Sequence, residues 1–178
     1  MAMETLVLNT ATTFDKQSLI GIYEQHSSEL FRYAYRMLGD SHMAEDCVSE
    51  TFSRFLRVVK DKRQSIGEVR PYLYRIAHNW ITDHYRQHPL PPLSLETEMH
   101  ADVEANPSHL VGEKLERERL RAALLRLPAD QRQVIELRFL EDWPHQAIAE
   151  SLGKSSEATR ALQHRALGSL KRLLMEQE

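Results

Sequence analysis

The chain has 178 residues, 42% of them hydrophobic and 28% charged, with a formal net charge of −3. That length admits one large domain or two small ones, and the composition is that of a folded globular protein. The negative charge excludes a general polyelectrolyte binder, because non-specific nucleic-acid affinity is largely set by phosphate neutralisation. The lone cysteine, Cys47, excludes an internal disulfide and a zinc site built from cysteines, and makes no demand for an oxidising compartment. Residues 1–14 contain no lysine or arginine and no long apolar run, unlike a signal peptide, and nothing approaches the roughly 20 apolar residues that span a bilayer. Cytoplasmic location is the expectation.

The first predicted helix covers residues 17–38, with Leu19, Ile22, Tyr23, Leu30, Tyr33, Ala34, Met37 and Leu38 at helical spacing and Gly39 as its stop. Asp40 or Ser41 can cap the next, over 42–60, whose stripe is Ala44, Cys47, Val48, Thr51, Phe52, Phe55, Leu56 and Val59. Glu45, Asp46, Glu50 and Arg54 fall on its more exposed side. A polar loop at 61–67 leads to a helix over 68–87, where Pro71 fits the first turn and Leu73, Ile76, Ala77, Trp80 and Ile81 form the apolar face. Arg75, His78, Asn79, Asp83 and Arg86 take the other side.

The stretch HPLPPLSLETEMHADVEANPSH then breaks every helical pattern with four prolines. Glu96, Glu98, Asp102, Glu104 and Glu113 make the neighbourhood acidic, and it reads as a flexible linker over 89–112 between a domain at 15–88 and a second at 113–178. The second domain is predicted to hold helices over 113–126, 130–140, 144–152 and 155–175, with Leu127 and Pro128 closing the first and Gly153 turning between the last two. Towards its end Lys154, Arg160, Arg165, Lys171 and Arg172 face a single acid, Glu157, so contact with DNA is expected to be local and C-terminal.

A short helix, a tight turn and a long helix form helix-turn-helix grammar. The first helix needs a small residue where the second crosses it, and the turn needs a residue at ease with positive φ; Ala149 and Gly153 in QAIAESLGKSSEATRAL supply both. Ile148, Leu152 and Leu162 supply the core. An ordinary antiparallel helix pair would show the same small-residue spacing, but the second helix also carries a polar, basic face of Ser155, Ser156, Arg160, His164 and Arg165 suited to base edges and phosphates.

At this point three blocks resemble a known family. LRLPADQRQVIELRFLEDWPHQAIAESLGKSSEATRALQHRALGSLKRLL is similar to region 4 of the sigma-70 family, in its extracytoplasmic-function (ECF) group. AEDCVSETFSRFL resembles the region 2 helix of that group, and RPYLYRIAHNWITDHYR the adjoining promoter-melting helix. The resemblance implies an all-α protein of two small helical domains, region 2 and region 4, that directs RNA polymerase to promoters. It implies that Asp46, Glu50 and Phe52 dock on the β′ clamp of core polymerase, and that region 4 meets the β flap. Asn79, Asp83 and Arg86, with the 61–67 loop, would hold the −10 element as a single strand. Ser155, Ser156, Arg160, His164 and Arg165 would read the −35 element in duplex DNA. An anti-sigma factor is a further candidate partner. Thr159 stands where valine or isoleucine is usual, Lys154 replaces a common apolar residue, and Pro144 replaces a usual serine or threonine.

Two rival readings are weaker. A sensory regulator with a C-terminal helix-turn-helix needs strand and helix alternation upstream, which the first half lacks. A metal enzyme is suggested only by the spacing of His84 and His88, with no HExxH motif and with Pro89 directly following. No catalytic residue, metal ligand or cofactor is therefore assigned, and no membrane insertion is expected.

Overall fold

The computed structural model describes residues 14–61, 66–89 and 107–176, and among them every regular element is helical. The acidic stretch with Glu96, Glu98, Asp102 and Glu104, and most of the 61–67 loop, lie outside the described residues. In chain order the helices are α1 (Lys16–Leu38), α2 (Ser41–Asp61), α3 (Val69–Gln87), α4 (Pro107–Arg126), α5 (Ala129–Ile135), α6 (His145–Leu152) and α7 (Ser156–Met175).

Local chemistry accounts for most boundaries. Asp15 caps α1 by accepting from the Ser18 amide at 2.7 Å, and Asp40 caps α2 through the Met43 amide at 2.8 Å. Gly39 closes α1 at φ +75°, its amide donating to the Tyr35 carbonyl. α4 begins at Pro107, ahead of the expected start at 113, with proline in the first helical position where its missing N–H costs nothing. The predicted helix over 130–140 is interrupted. α5 passes into a π-helical stretch, Glu136–Leu140, and Asp142 then takes φ +52° to turn the chain towards α6.

The first three helices bury one face each: Leu30, Tyr33, Ala34 and Met37 from α1, Ala44, Cys47, Val48, Thr51, Phe52 and Phe55 from α2, and Leu73, Tyr74, Ala77 and Ile81 from α3. The helix-turn-helix half contributes Val134, Ile135, Leu137, Trp143, Ile148, Leu162 and Ala166 to the same continuous core. Trp143 is the joint: 2% exposed, its ring lies 4.7 Å from that of Tyr74, which in turn meets Tyr33 at 4.9 Å.

Charge is buried in this joint as well. Arg132 is 2% exposed, and its guanidinium donates to the carbonyls of Leu124, Leu125 and Leu127 at the α4–α5 corner, to the Met37 carbonyl at the end of α1, and to the Tyr85 hydroxyl. Replacement by methionine keeps the bulk and removes every donor; the Met37 carbonyl keeps the Tyr85 hydroxyl and the Leu124 carbonyl the Leu127 amide, while those of Leu125 and Leu127 lose the guanidinium at about 1–3 kcal/mol each. Arg132→Met is expected to lower unfolding stability by at least about 2 kcal/mol on that basis, read as a fall in the urea midpoint at unchanged m-value.

Candidate nucleic-acid interface

The helix-turn-helix is built as its residues require. Pro144 precedes α6 with ψ 151°, and its carbonyl accepts from the Ile148 amide. Ala149 is 4% exposed at the crossing, and Gly153 turns the chain at φ +63°. Ser155 then caps α7, its hydroxyl accepting from the Ala158 amide at 3.1 Å. Thr159 is fully buried, and its hydroxyl donates back to the Ser155 carbonyl at 2.9 Å, so a polar side chain sits in an aliphatic position without an orphaned group. His145 and Gln163 pair side chain to side chain at 2.6 Å, tying α6 to α7; that contact joins positions eighteen apart and left no pattern in the sequence.

Among the residues singled out for duplex recognition, Arg160, His164 and Arg165 are exposed on α7, Ser155 is exposed at its start, and Ser156 is half-buried. Lys171 and Arg172 extend the basic surface along the helix. On α3, Asn79, Asp83 and Arg86 are exposed on one face, with Asp83 and Arg86 ion-paired at 3.6 Å. Trp80 is half-buried and its ring stacks on His84 at 5.5 Å, while His84 stacks on His88 at 4.7 Å with ring planes 22° apart. Burial, and then the neighbouring His88, hold the His84 imidazole below its usual range. Stacked faces are not the converging nitrogens of a metal site, and among the described residues no cluster of three metal-ligating side chains occurs.

On α2, Asp46 is exposed and Glu50 half-buried, the latter accepting from Arg54 Nε at 2.7 Å. Phe52 points inward, 8% exposed, with its ring 4.9 Å from that of Tyr23. It supports the α1–α2 packing and offers little surface to a partner. Its place on the apolar stripe of α2 already signalled this.

The electrostatics that sequence reasoning missed lie between the halves. Arg36 Nε donates to Glu136 Oε2 at 2.7 Å and its Nη2 donates to Glu141 Oε1; the π-helical stretch sets these two carboxylates around one guanidinium. Burial pushes the Glu136 carboxyl up, opposed by Arg36. Arg70 lies over the Trp143 ring at 4.4 Å and holds Glu29 at 2.8 Å. His78 Nε2 meets Asp130 Oδ1 at 2.9 Å, and Lys154, the unusual residue after the turn glycine, meets Asp130 Oδ2 at 3.3 Å.

Fold and site together define an all-helical DNA-binding protein whose helix-turn-helix is carried on a second helical unit. Comparison with known proteins makes the class specific. Residues 22–89 match sigma-70 region 2 and residues 123–172 match sigma-70 region 4, together about two thirds of the chain. The chain belongs to the sigma-70 family, in its ECF group. It is 34% identical over 156 residues to the ECF RNA polymerase sigma factor BldN of Streptomyces coelicolor, a match covering 86% of this chain and 59% of that one. It is 29% identical over 155 residues to the ECF RNA polymerase sigma factor SigL of Mycobacterium tuberculosis, covering 87% and 88%. Its fold is similar to that of CnrH, solved in complex with the cytosolic domain of CnrY, with a TM-score of 0.66, 22% identity and 94% of each chain covered. It is also similar to the sigma factor RpoE solved with the anti-sigma factor NepR from Bartonella quintana, with a TM-score of 0.62, 20% identity and 90% and 96% covered.

The hydrogen bond from His78, aided by Lys154, holds the Asp130 carboxyl down to about 2 against partial burial. This lies below the roughly 3.9 of a free aspartate, so the stabilisation is complete above that value and is lost as pH falls through about 2. Asp130→Asn removes the titrating group. Denaturation midpoints of the wild type and this variant should differ most near neutrality and converge as the solution is acidified across that window.

Proposed function

We propose that this chain is a promoter-specificity subunit: it binds core RNA polymerase and directs it to promoters through a −10 and a −35 element. The observation that carries the reading is a complete helix-turn-helix with an exposed basic face, Arg160, His164 and Arg165, on a chain that is acidic as a whole and carries a region 2 unit. An acidic chain with so local a basic surface is poorly suited to hold DNA unaided and well suited to read it as part of a larger basic assembly.

In this reading the region 2 unit spans 15–88, a connecting segment 89–112 and the region 4 unit 113–178. Asp46 and Glu50 on the outer side of α2 meet the β′ clamp, while Phe52 keeps that helix in place from within. Region 4 meets the β flap. Asn79, Asp83 and Arg86 on α3 hold the unpaired −10 strand, where hydrogen-bonding side chains and a phosphate-binding cation are needed. Ser155, Ser156, Arg160, His164 and Arg165 contact the −35 duplex, arginine reading guanine or neutralising phosphate. The protein does no chemistry itself and works in the cytoplasm, where polymerase and promoters are. An anti-sigma partner is part of the proposal because one of its structural neighbours, the sigma factor RpoE, was solved with an anti-sigma factor.

Two experiments test it. Charge reversal at Asp46 and Glu50 together is expected to weaken capture of core polymerase with helicity unchanged, and equal capture would remove α2 as the docking face. Arg160→Ala and Arg165→Ala are each expected to lower run-off transcription from a template bearing a −35 element, by roughly 1–3 kcal/mol of discrimination if a base contact is lost. Equal losses on a template with that element scrambled would remove these arginines from its recognition.

A further inference from the structure

Three rings are stacked in a row on α3. Trp80 lies on His84 at 5.5 Å with ring planes 8° apart, and His84 on His88 at 4.7 Å with planes 22° apart. Each ring directly follows an exposed polar residue in sequence: Trp80 follows Asn79, His84 follows Asp83 and His88 follows Gln87. Neighbours along a helix are about 100° apart round its axis, and positions four apart share a face. The rings therefore climb α3 as a column beside the polar column, one step round the helix.

Exposure rises along the ring column. Trp80 and His84 are half-buried, whereas His88, the C-cap residue beyond the last helical turn, is exposed. One face of the His88 ring is taken by His84, and among the described residues no other ring meets it. Nor, among those residues, does a hydrogen bond or ion pair engage the imidazole nitrogens of either histidine.

Simpler readings of the column fail on its chemistry. Core packing accounts for Trp80 but not for a ring that continues the stack into solvent. A metal site needs converging nitrogens, and these rings meet by their faces. A phosphate site needs a standing positive charge, while burial and the adjacent His88 hold the His84 imidazole below its usual range and so favour its neutral form. The nearby permanent cation is Arg86, ion-paired with Asp83 at 3.6 Å. A neutral ring with a free face is a surface for another flat ring.

We propose that Trp80, His84 and His88 form a stacking column for the unpaired −10 strand, with one base laid on the free face of His88. The proposal rests on the function given above for the identity of the strand. Single-strand sites combine rings on which bases stack with a cation that follows the backbone, and Arg86 supplies the cation here. Every base has a π-face, so stacking is tolerant of sequence. The column adds affinity for the open strand and leaves the choice of sequence to Asn79, Asp83 and the 61–67 loop. It also extends the −10 surface to the C-terminal end of α3.

The test uses the full chain bound to core polymerase, and a promoter that the wild-type holoenzyme selects from a randomised library, presented with its −10 segment unpaired. His88→Ala removes the platform at an exposed position past the helix. His88→Phe restores a ring without the nitrogens, and His88→Lys supplies a cation without a ring. His88→Ala should bind this template about 5- to 150-fold more weakly than the wild type, the range for one lost base stack. His88→Phe should recover most of that loss and His88→Lys should not, with equal helicity throughout by far-UV circular dichroism. Equal binding by His88→Ala and the wild type overturns the column. So does rescue by lysine as full as that by phenylalanine, which would make position 88 a backbone contact through charge. A wild-type holoenzyme that selects no −10 element strikes the proposed function and the strand with it, whereas clear selection with no effect of the ring strikes the column alone.

Discussion

The arrangement depends on a guanidinium placed where water cannot reach it. Burying an unpaired charge costs several kilocalories per mole, so Arg132 is tolerable only because every edge of its fork finds an oxygen. Three of those oxygens are carbonyls at the end of α4, one of them shared with the Leu127 amide, so one side chain closes a helix terminus and fixes the angle at which α5 departs. From α5 the chain passes through the π-helical stretch to Trp143, and from there to α6 and α7. The position of the exposed basic face of α7 is therefore inherited, element by element, from one satisfied buried charge.

The same corner shows how polar contacts add specificity to an apolar joint. The halves meet over an apolar seam, Trp143 on Tyr74, and the ion pairs beside it fix the orientation of that contact. Glu136 illustrates the tension: burial disfavours its charge, and Arg36 offsets that only while the halves touch. The surfaces proposed to meet polymerase, single-stranded DNA and duplex DNA are all exposed.

Departures from the family pattern are absorbed by local chemistry. Thr159 satisfies its hydroxyl on its own helix. Lys154 trades an apolar contact for an ion pair with Asp130, and Pro144 starts α6 with its carbonyl alone. None disturbs the backbone that presents α7. Gly153 is the stricter position: a Cβ there would sit 3.1 Å from the Arg75 guanidinium in addition to the strain of its φ of +63°.

Period, caps and breakers were enough to read the helices from sequence, because those signals act within a few residues of one another. Gly39, Asp40, Gly153 and Ser155 mark termini by their own conformational preferences, and the apolar stripe of α2 foretold that Phe52 faces inward. The basic face of α7 was legible for the same reason, since helical geometry alone puts Arg160 and His164 together. Tertiary structure decided the rest. Nothing in the spacing of Arg36 and Glu136, or of His78 and Asp130, shows that they meet, for those contacts span 100 and 52 positions. The π-helical interruption was equally hidden: ELRFL has ordinary helical character, and the wider turn accompanies the seating of Trp143 on Tyr74 and of two glutamates on one arginine. Local propensities are set by neighbours along the chain, whereas the price of burying a charge or a tryptophan is settled by whatever the fold brings against it.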